Sequence, residues 1–172
     1  EEMTVSNFEC YVGGLPKLRK KPFEYKAPFS PADVIEEYRR PARLKENGHI
    51  VTRAALTEKE FIDFDEIGTL EAFNTDGLRS LLFTMGHIPN LKEKTLRYPG
   101  HADLITALKE SGFFETKNIL INGTEISPLE FSSKILFRDW KLGDEEEELT
   151  IMKVLVEGEK EGVHQKVEYR LF

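Results

Sequence analysis

The stretch Lys94-Thr95-Leu96-Arg97-Tyr98-Pro99-Gly100-His101-Ala102-Asp103-Leu104-Ile105-Thr106-Ala107-Leu108-Lys109-Glu110-Ser111-Gly112 decides how this chain is built. Residues 94–98 read as a strand. Pro99-Gly100 breaks it, and a helix over 101–111 follows, with Leu104, Ile105 and Leu108 on its inward stripe and Gly112 just past its end, where a left-handed residue closes a helix. A strand handed straight to a helix through a tight break makes this a chain of mixed elements.

Toward the N-terminus, Asn74-Thr75-Asp76-Gly77 predicts a turn into a helix whose apolar positions are Leu78, Leu81, Leu82 and Met85. Segments 61–64 and 69–73 read as strands. Glu46-Asn47-Gly48 between 43–45 and 49–53 predicts a hairpin, Asn-Gly being the strongest short signal for one. Ser30-Pro31 opens a helix to about Arg40, with Ser30 as N-cap, Pro31 at N1 and Val34, Ile35 and Tyr38 as its apolar stripe. Before it, Pro16, Pro22, Pro28 and Pro31 punctuate an extended loop, since proline fixes φ and removes a donor. The aromatics Phe23, Tyr25 and Phe29 pin that loop to a surface or line a cleft. Residues 8–13 form a short strand leaving into Gly13-Gly14-Leu15-Pro16.

Toward the C-terminus, Ser127-Pro128-Leu129-Glu130 supplies an N-cap, a proline at N1 and the glutamate of a capping box for a helix to about Arg138. The run Asp144–Glu148 reads as a solvated loop. Residues 150–156 make a strand apolar on both faces, hence central in its sheet. A glycine-bounded turn over 157–162 leads into a last strand with Val163, Gln165, Val167, Tyr169 and Leu171 on one face. Trp140 and Phe113-Phe114 are read as core. The fold class is α+β: a mostly antiparallel mixed sheet covered by helices on one face.

Composition narrows the function. The chain has 172 residues, a size that suits one domain, with 24 basic and 31 acidic residues and a net charge of −7. Nucleic acid as a partner is disfavoured by that sign. No apolar run approaches a membrane span or a signal sequence, so a membrane partner is not expected. The lone Cys10 excludes an internal disulfide and a thiolate zinc cluster, and a reducing, cytoplasmic setting is the simplest reading. The four histidines are scattered, so no metal site is expected. There is no Gly-x-Gly-x-x-Gly and no Walker loop, so the chain holds no phosphate cradle of its own. It opens without a methionine and closes in a strand, which reads as a piece cut from a longer protein.

Three places carry candidate chemistry. Arg79 falls in the first turn of the helix expected after Gly77, where a cation opposes the helix dipole. It faces either a substrate carboxylate or a neighbouring Asp or Glu. Thr95 and Arg97 point the same way along a strand that ends at a helix N-terminus, a plausible carboxylate site, and the dipole there keeps His101 neutral. The alternative is a plain capped turn with Arg97 solvated. Lys26 sits among aromatics and prolines that could desolvate it into acid/base range, or is simply solvated.

The segments Leu70-Glu71-Ala72-Phe73-Asn74-Thr75-Asp76-Gly77-Leu78-Arg79-Ser80-Leu81-Leu82 and Glu93-Lys94-Thr95-Leu96-Arg97-Tyr98-Pro99-Gly100-His101 resemble the saccharopine dehydrogenase family, in its C-terminal substrate-binding domain. Val12-Gly13-Gly14-Leu15-Pro16 is similar to that family's Cys-Gly-Gly-Leu-Pro segment, and 22–31 to the proline-rich loop of its bacterial members. The resemblance implies one substrate-binding and dimerisation domain over 1–172, whose Rossmann domain, holding NAD or NADP, lies outside the chain. It implies a fold similar to the C-terminal domain of glyceraldehyde-3-phosphate dehydrogenase, a homodimer, and hydride transfer at the C–N bond of an amino acid in lysine metabolism.

By the same resemblance, Arg79, Thr95, Leu96, Arg97 and Tyr98 bind the substrate, and Val12, Gly13 and Gly14 lie beside the cofactor; the resemblance transfers no acid/base, and Lys26 and His101 are the candidates on their own surroundings. Val12 replaces the family's cysteine, and Lys17-Leu18-Arg19 and Ala27-Pro28-Phe29 depart from saccharopine reductases proper, favouring a lysine-dehydrogenase-like specificity. A carboxynorspermidine-type polyamine enzyme and a non-catalytic amino-acid-binding module remain as alternatives.

Overall fold

The computed structural model describes residues 3–27 and 31–172. The Ser30 cap and the expected role of Phe29 lie outside those residues. Among the described residues ten strands and four helices run in the order β1 (Thr4–Pro16), α1 (Pro31–Arg39), β2 (Ala42–Glu46), β3 (His49–Arg53), β4 (Glu60–Phe64), β5 (Gly68–Asn74), α2 (Leu81–Thr84), β6 (Asn90–Arg97), α3 (His101–Glu110), β7 (Ile119–Ile121), β8 (Thr124–Ile126), α4 (Pro128–Trp140), β9 (Glu148–Lys160) and β10 (Val163–Leu171).

The main sheet orders its strands β10-β9-β1-β6-β2-β3, and β5 joins the same β6 while carrying β4. Among the described strands of this sheet β1 and β6 run parallel, in register from Asn7 with Asn90 to Val12 with Thr95, and the other pairs are antiparallel. β6 is thus the trunk of the sheet. Its alternation splits the protein. Arg97, Thr95, Glu93 and Leu91 face one way; Leu96 faces the other.

On the first face α1, α3 and α4 bury Val34, Ile35, Tyr38, Ala102, Ile105, Leu136 and Trp140 against Phe73, with Tyr25 of the proline-rich loop among them. On the opposite face Tyr11, Leu15, Phe64, Leu70, Ala72, Leu96, Tyr98 and Ile151 pack on one another, and no helix contributes. Helices therefore cover one face, as the sequence predicts.

Local signals account for the boundaries. Ser127 caps α4 through its Oγ, which accepts from the Glu130 N–H at 3.3 Å. Asn47 and Gly48 take φ of 49° and 83°, the paired left-handed geometry of a two-residue hairpin turn. Gly112, at φ 88°, closes α3 by donating to the Lys109 carbonyl at 3.1 Å.

Four expectations are corrected. The helix after Gly77 is only the single turn Leu81–Thr84, and Arg79 precedes it at φ 42°. The segment 74–78 is spent on side-chain ties to β2 and β6, and Leu78, Leu82 and Ile88 close a small cluster with Leu44 and Leu91. On α3, Leu104 is 39% exposed, and Ala102 takes its inward place beside Ile105. Phe114 is core, but Phe113 is 46% exposed.

β9, read as central, is second from the edge. Its Ile151 and Leu155 join the helix-free core, whereas Met152, Val154 and Val156 are half-exposed on the other face. They stand in register with Val12, Cys10 and Phe8 of β1, and with Leu171, Tyr169 and Val167 of β10.

Candidate functional site

The helix-covered face of β6 carries a row of buried polar groups. Arg97 lies at one end of it, 4% exposed. Its Nε donates to the Tyr38 hydroxyl at 3.2 Å and its Nη1 to the Leu96 carbonyl at 2.8 Å, while the guanidinium stacks 4.6 Å from the Tyr25 ring centre. Among the described residues no carboxylate comes within 4.0 Å of it. A buried cation normally has an ionic partner, because removing it from water costs several kcal/mol. Here two oxygen acceptors and an aromatic face hold a group that has five donors. Glu37 of α1, half-exposed, is the negative charge felt from outside ion-pair distance.

Tyr38 relays this arrangement to His101. The Tyr38 hydroxyl stands 2.9 Å from His101 Nε2, and His101 Nδ1 3.0 Å from the Phe23 carbonyl. A carbonyl accepts only, so Nδ1 carries the proton and donates to Phe23, leaving Nε2 to accept from Tyr38. Burial, aided by the Arg97 charge, pushes the imidazole down to about 3. His101 is neutral as expected, but desolvation rather than the helix dipole is the cause. With both nitrogens engaged and 2% of the residue exposed, it holds Tyr38 in place and is not arranged to exchange a proton with a ligand. The N-terminus of α3 also has an anion of its own, since Gly100 N–H donates to Glu71 Oε2 at 3.2 Å.

Toward the other end of the row, Glu93 Oε2 accepts from the Thr75 hydroxyl and from Gly77 N–H, both at 3.1 Å. Thr75 also meets Thr95, with 2.7 Å between the hydroxyls. Gly77 is where this carboxyl fits, because a Cβ there would stand 2.3 Å from Glu93 Cδ. Burial raises Glu93 to about 7, against the lowering by Thr75, Gly77 and Arg97. Cys10, the β1 partner of Glu93, is pushed up to about 11, first by burial and then by that carboxyl.

The residues singled out from sequence divide between these surroundings. Thr95 and Arg97 belong to the row. Leu96 and Tyr98 do not, because alternation carries them into the helix-free core on the opposite face, where the Tyr98 hydroxyl donates to the Pro16 carbonyl at 3.0 Å. Only the Leu96 carbonyl reaches Arg97.

Lys26 binds the C-terminal carbonyls of α4, donating to Asp139 at 2.7 Å and Lys141 at 3.4 Å. Gly13 is filled from behind, since a Cβ would meet the Leu96 carbonyl oxygen at 2.5 Å, while Val12 and Gly14 are half-exposed.

Arg79 is exposed and lines a hollow with Arg40, Arg43 and Asp76 that Arg97 does not line, so the two arginines are not brought together. Sequence reasoning missed Tyr38, Tyr25, Thr75 and Glu93. Tyr38 was read as stripe, yet a tyrosine in a buried stripe needs a hydroxyl partner, and that was the available signal.

The class defined by this fold and row is an α+β domain that holds a buried, carboxylate-free arginine under three helices, one end of a polar track on its trunk strand. A family model described as the saccharopine dehydrogenase C-terminal domain matches residues 1–172, and the chain belongs to that family. Apo histidine-tagged saccharopine dehydrogenase (L-Glu forming) from Saccharomyces cerevisiae is similar in structure, with a TM-score of 0.75 over 97% of this chain at 16% identity. At that identity the likeness is one of fold. The chain spans about half of that protein, 52% of its length. By its family membership the domain is oxidoreductase-related. Among the described residues no helix is long and apolar enough to cross a membrane.

Proposed function

We propose that the chain is the substrate-binding part of an NAD(P)-dependent oxidoreductase acting on the C–N bond of an amino acid, as in saccharopine dehydrogenase chemistry. One observation carries this reading. Arg97 is a buried cation, oriented by Tyr38 and Tyr25, with no carboxylate of the described residues beside it. A substrate carboxylate supplies the missing anion, and a charge-assisted pair in that dry setting fixes the substrate's orientation.

NAD or NADP, held by sequence outside this chain, supplies the hydride. Arg97 binds the carboxylate, Tyr38 and His101 keep Arg97 from turning, and the helices exclude water from the pair. Lys26, tied to α4, positions the proline-rich loop.

The test uses the full-length protein with an amino-acid substrate and its decarboxylated amine analogue, following reduction of NAD(P)⁺. Arg97→Gln lowers kcat/KM for the amino acid about 100-fold or more, the loss of one partner of a buried charge pair. It leaves the analogue's rate unchanged. Equal losses on both substrates, or none on either, refute the carboxylate assignment. Arg97→Lys serves as the folded control.

The domain also provides a surface for a second copy of itself. β10 is an edge strand with Val163 60%, Tyr169 63% and Leu171 54% exposed, and a long apolar edge is a template for pairing. Sedimentation equilibrium of the full chain checks this reading, with a dimer that Tyr169→Lys converts to monomer as the expected outcome.

A further inference from the structure

We propose that Arg40, Arg43 and Arg79 form a second anion site, which takes a phosphate monoester carrying an aromatic or apolar body. The site is the hollow of about 570 Å³ walled by Arg40, Pro41, Arg43, Asp76, Arg79 and Phe83. Three guanidiniums face one carboxylate there, and that carboxylate is already filled. Asp76 Oδ1 accepts from Arg43 N–H at 3.1 Å and from Arg43 Nε at 2.9 Å, and Oδ2 from Arg43 Nη2 at 2.8 Å.

Arg40 Nε lies 3.2 Å from Oδ2, yet neither it nor Nη2 makes a hydrogen bond, although both are shielded from solvent. Arg79 has no ion-pair partner among the described residues. It sits at φ 42°, a left-handed conformation that a side chain of this size seldom adopts, between buried Leu78 and the start of α2. Three guanidiniums thus gather at one hollow around a single carboxylate, Arg79 exposed and without an ion-pair partner among the described residues.

The ligand class follows from shape and charge. The guanidiniums arrive from the end of α1, from β2 and from the 76–79 turn. Tetrahedral phosphate oxygens meet such a spread better than a flat carboxylate does. The hollow is far larger than a phosphate group. Pro41 and Phe83, the latter 70% exposed, offer the remaining wall to an apolar or stacking body. The site is independent of the Arg97 reading, since Arg97 contributes nothing to it.

The test is calorimetric titration of the full chain at low salt with adenosine monophosphate, inorganic phosphate and succinate. Adenosine monophosphate is expected to bind, with phosphate about tenfold weaker and succinate weaker still. Arg79→Ala weakens adenosine monophosphate about tenfold or more while the thermal melt is unchanged, because the side chain is exposed. Phe83→Ala weakens the nucleotide and leaves phosphate alone. Absence of nucleotide binding at millimolar concentration, or unchanged affinity in Arg79→Ala, overturns the site. Equal affinity for inorganic phosphate overturns the assignment to an ester in favour of the free ion, and equal affinity for succinate overturns phosphate recognition.

Discussion

Replacing Glu93 by Gln should make the protein more stable at neutral pH and change the shape of its pH profile. The folded state holds this carboxyl up at about 7 from an ordinary 4.5, chiefly by burial. Between those values the folded protein keeps a proton that the unfolded chain has lost, so stability falls as pH rises through the window. At about 1.4 kcal/mol per pH unit the fall totals ~3 kcal/mol.

His101 works in the opposite direction. Its folded value of about 3, against an ordinary 6.5, means the unfolded chain binds the extra proton, and stability rises with pH from about 3 to 6.5. Between pH 4.5 and 6.5 the two slopes cancel, and the wild-type profile is level. In Glu93→Gln the His101 slope stands alone, about 3 kcal/mol across that window, and the variant stays above wild type by ~3 kcal/mol at pH 8. Gln suits the site. Both bonds to Glu93 fall on Oε2, so an amide carbonyl there accepts from Thr75 and Gly77 as the protonated acid does. Urea unfolding of both proteins from pH 4 to 8 measures this. Parallel curves above pH 5 would refute the claim that Glu93 is protonated in the folded protein.

Three further outcomes are expected. Tyr38→Phe removes the hydroxyl joining Arg97 to His101, leaves Arg97 Nε and His101 Nε2 unpaired, and should cost about 2–4 kcal/mol in urea unfolding. Gly13→Ala places a Cβ 2.5 Å from the Leu96 carbonyl oxygen of the neighbouring β6, and should lower stability by about 1–3 kcal/mol, with a lower melting temperature as the readout. Ser127→Ala removes the α4 cap and should cost about 1 kcal/mol, read from the shift in denaturation midpoint.

Where a signal is local, the residues alone placed it. Asn47-Gly48, the Ser127-Pro128 helix start and the Gly112 stop each act through φ or a hydrogen bond within a few residues, and each lies where it was expected. The helix expected to carry Arg79 is displaced for a related reason. A helix was expected from the spacing of Leu78, Leu81, Leu82 and Met85, but the apolar group at Leu78 is satisfied by Leu44 and Leu91 from other strands, and the bonds of Asp76 and Gly77 to Arg43 and Glu93 hold the backbone out of a helix. Leu96 and Tyr98 were legible in principle, because period-two alternation alone separates them from Arg97.

The sequence by itself determined the locally signalled elements, the α+β class and the strand that carries Arg97 and Thr95, since propensity, capping and turn chemistry are short-range. Only the tertiary structure decided that Arg97 is buried with no carboxylate of the described residues beside it, that Tyr38 and His101 fix it, that burial raises the Glu93 carboxyl, and that Arg79 lines a hollow with Arg40 and Arg43 instead. Those outcomes depend on which distant groups desolvate or neutralise a charge, and burial and pairing across the sheet are set by packing that no local window of residues contains.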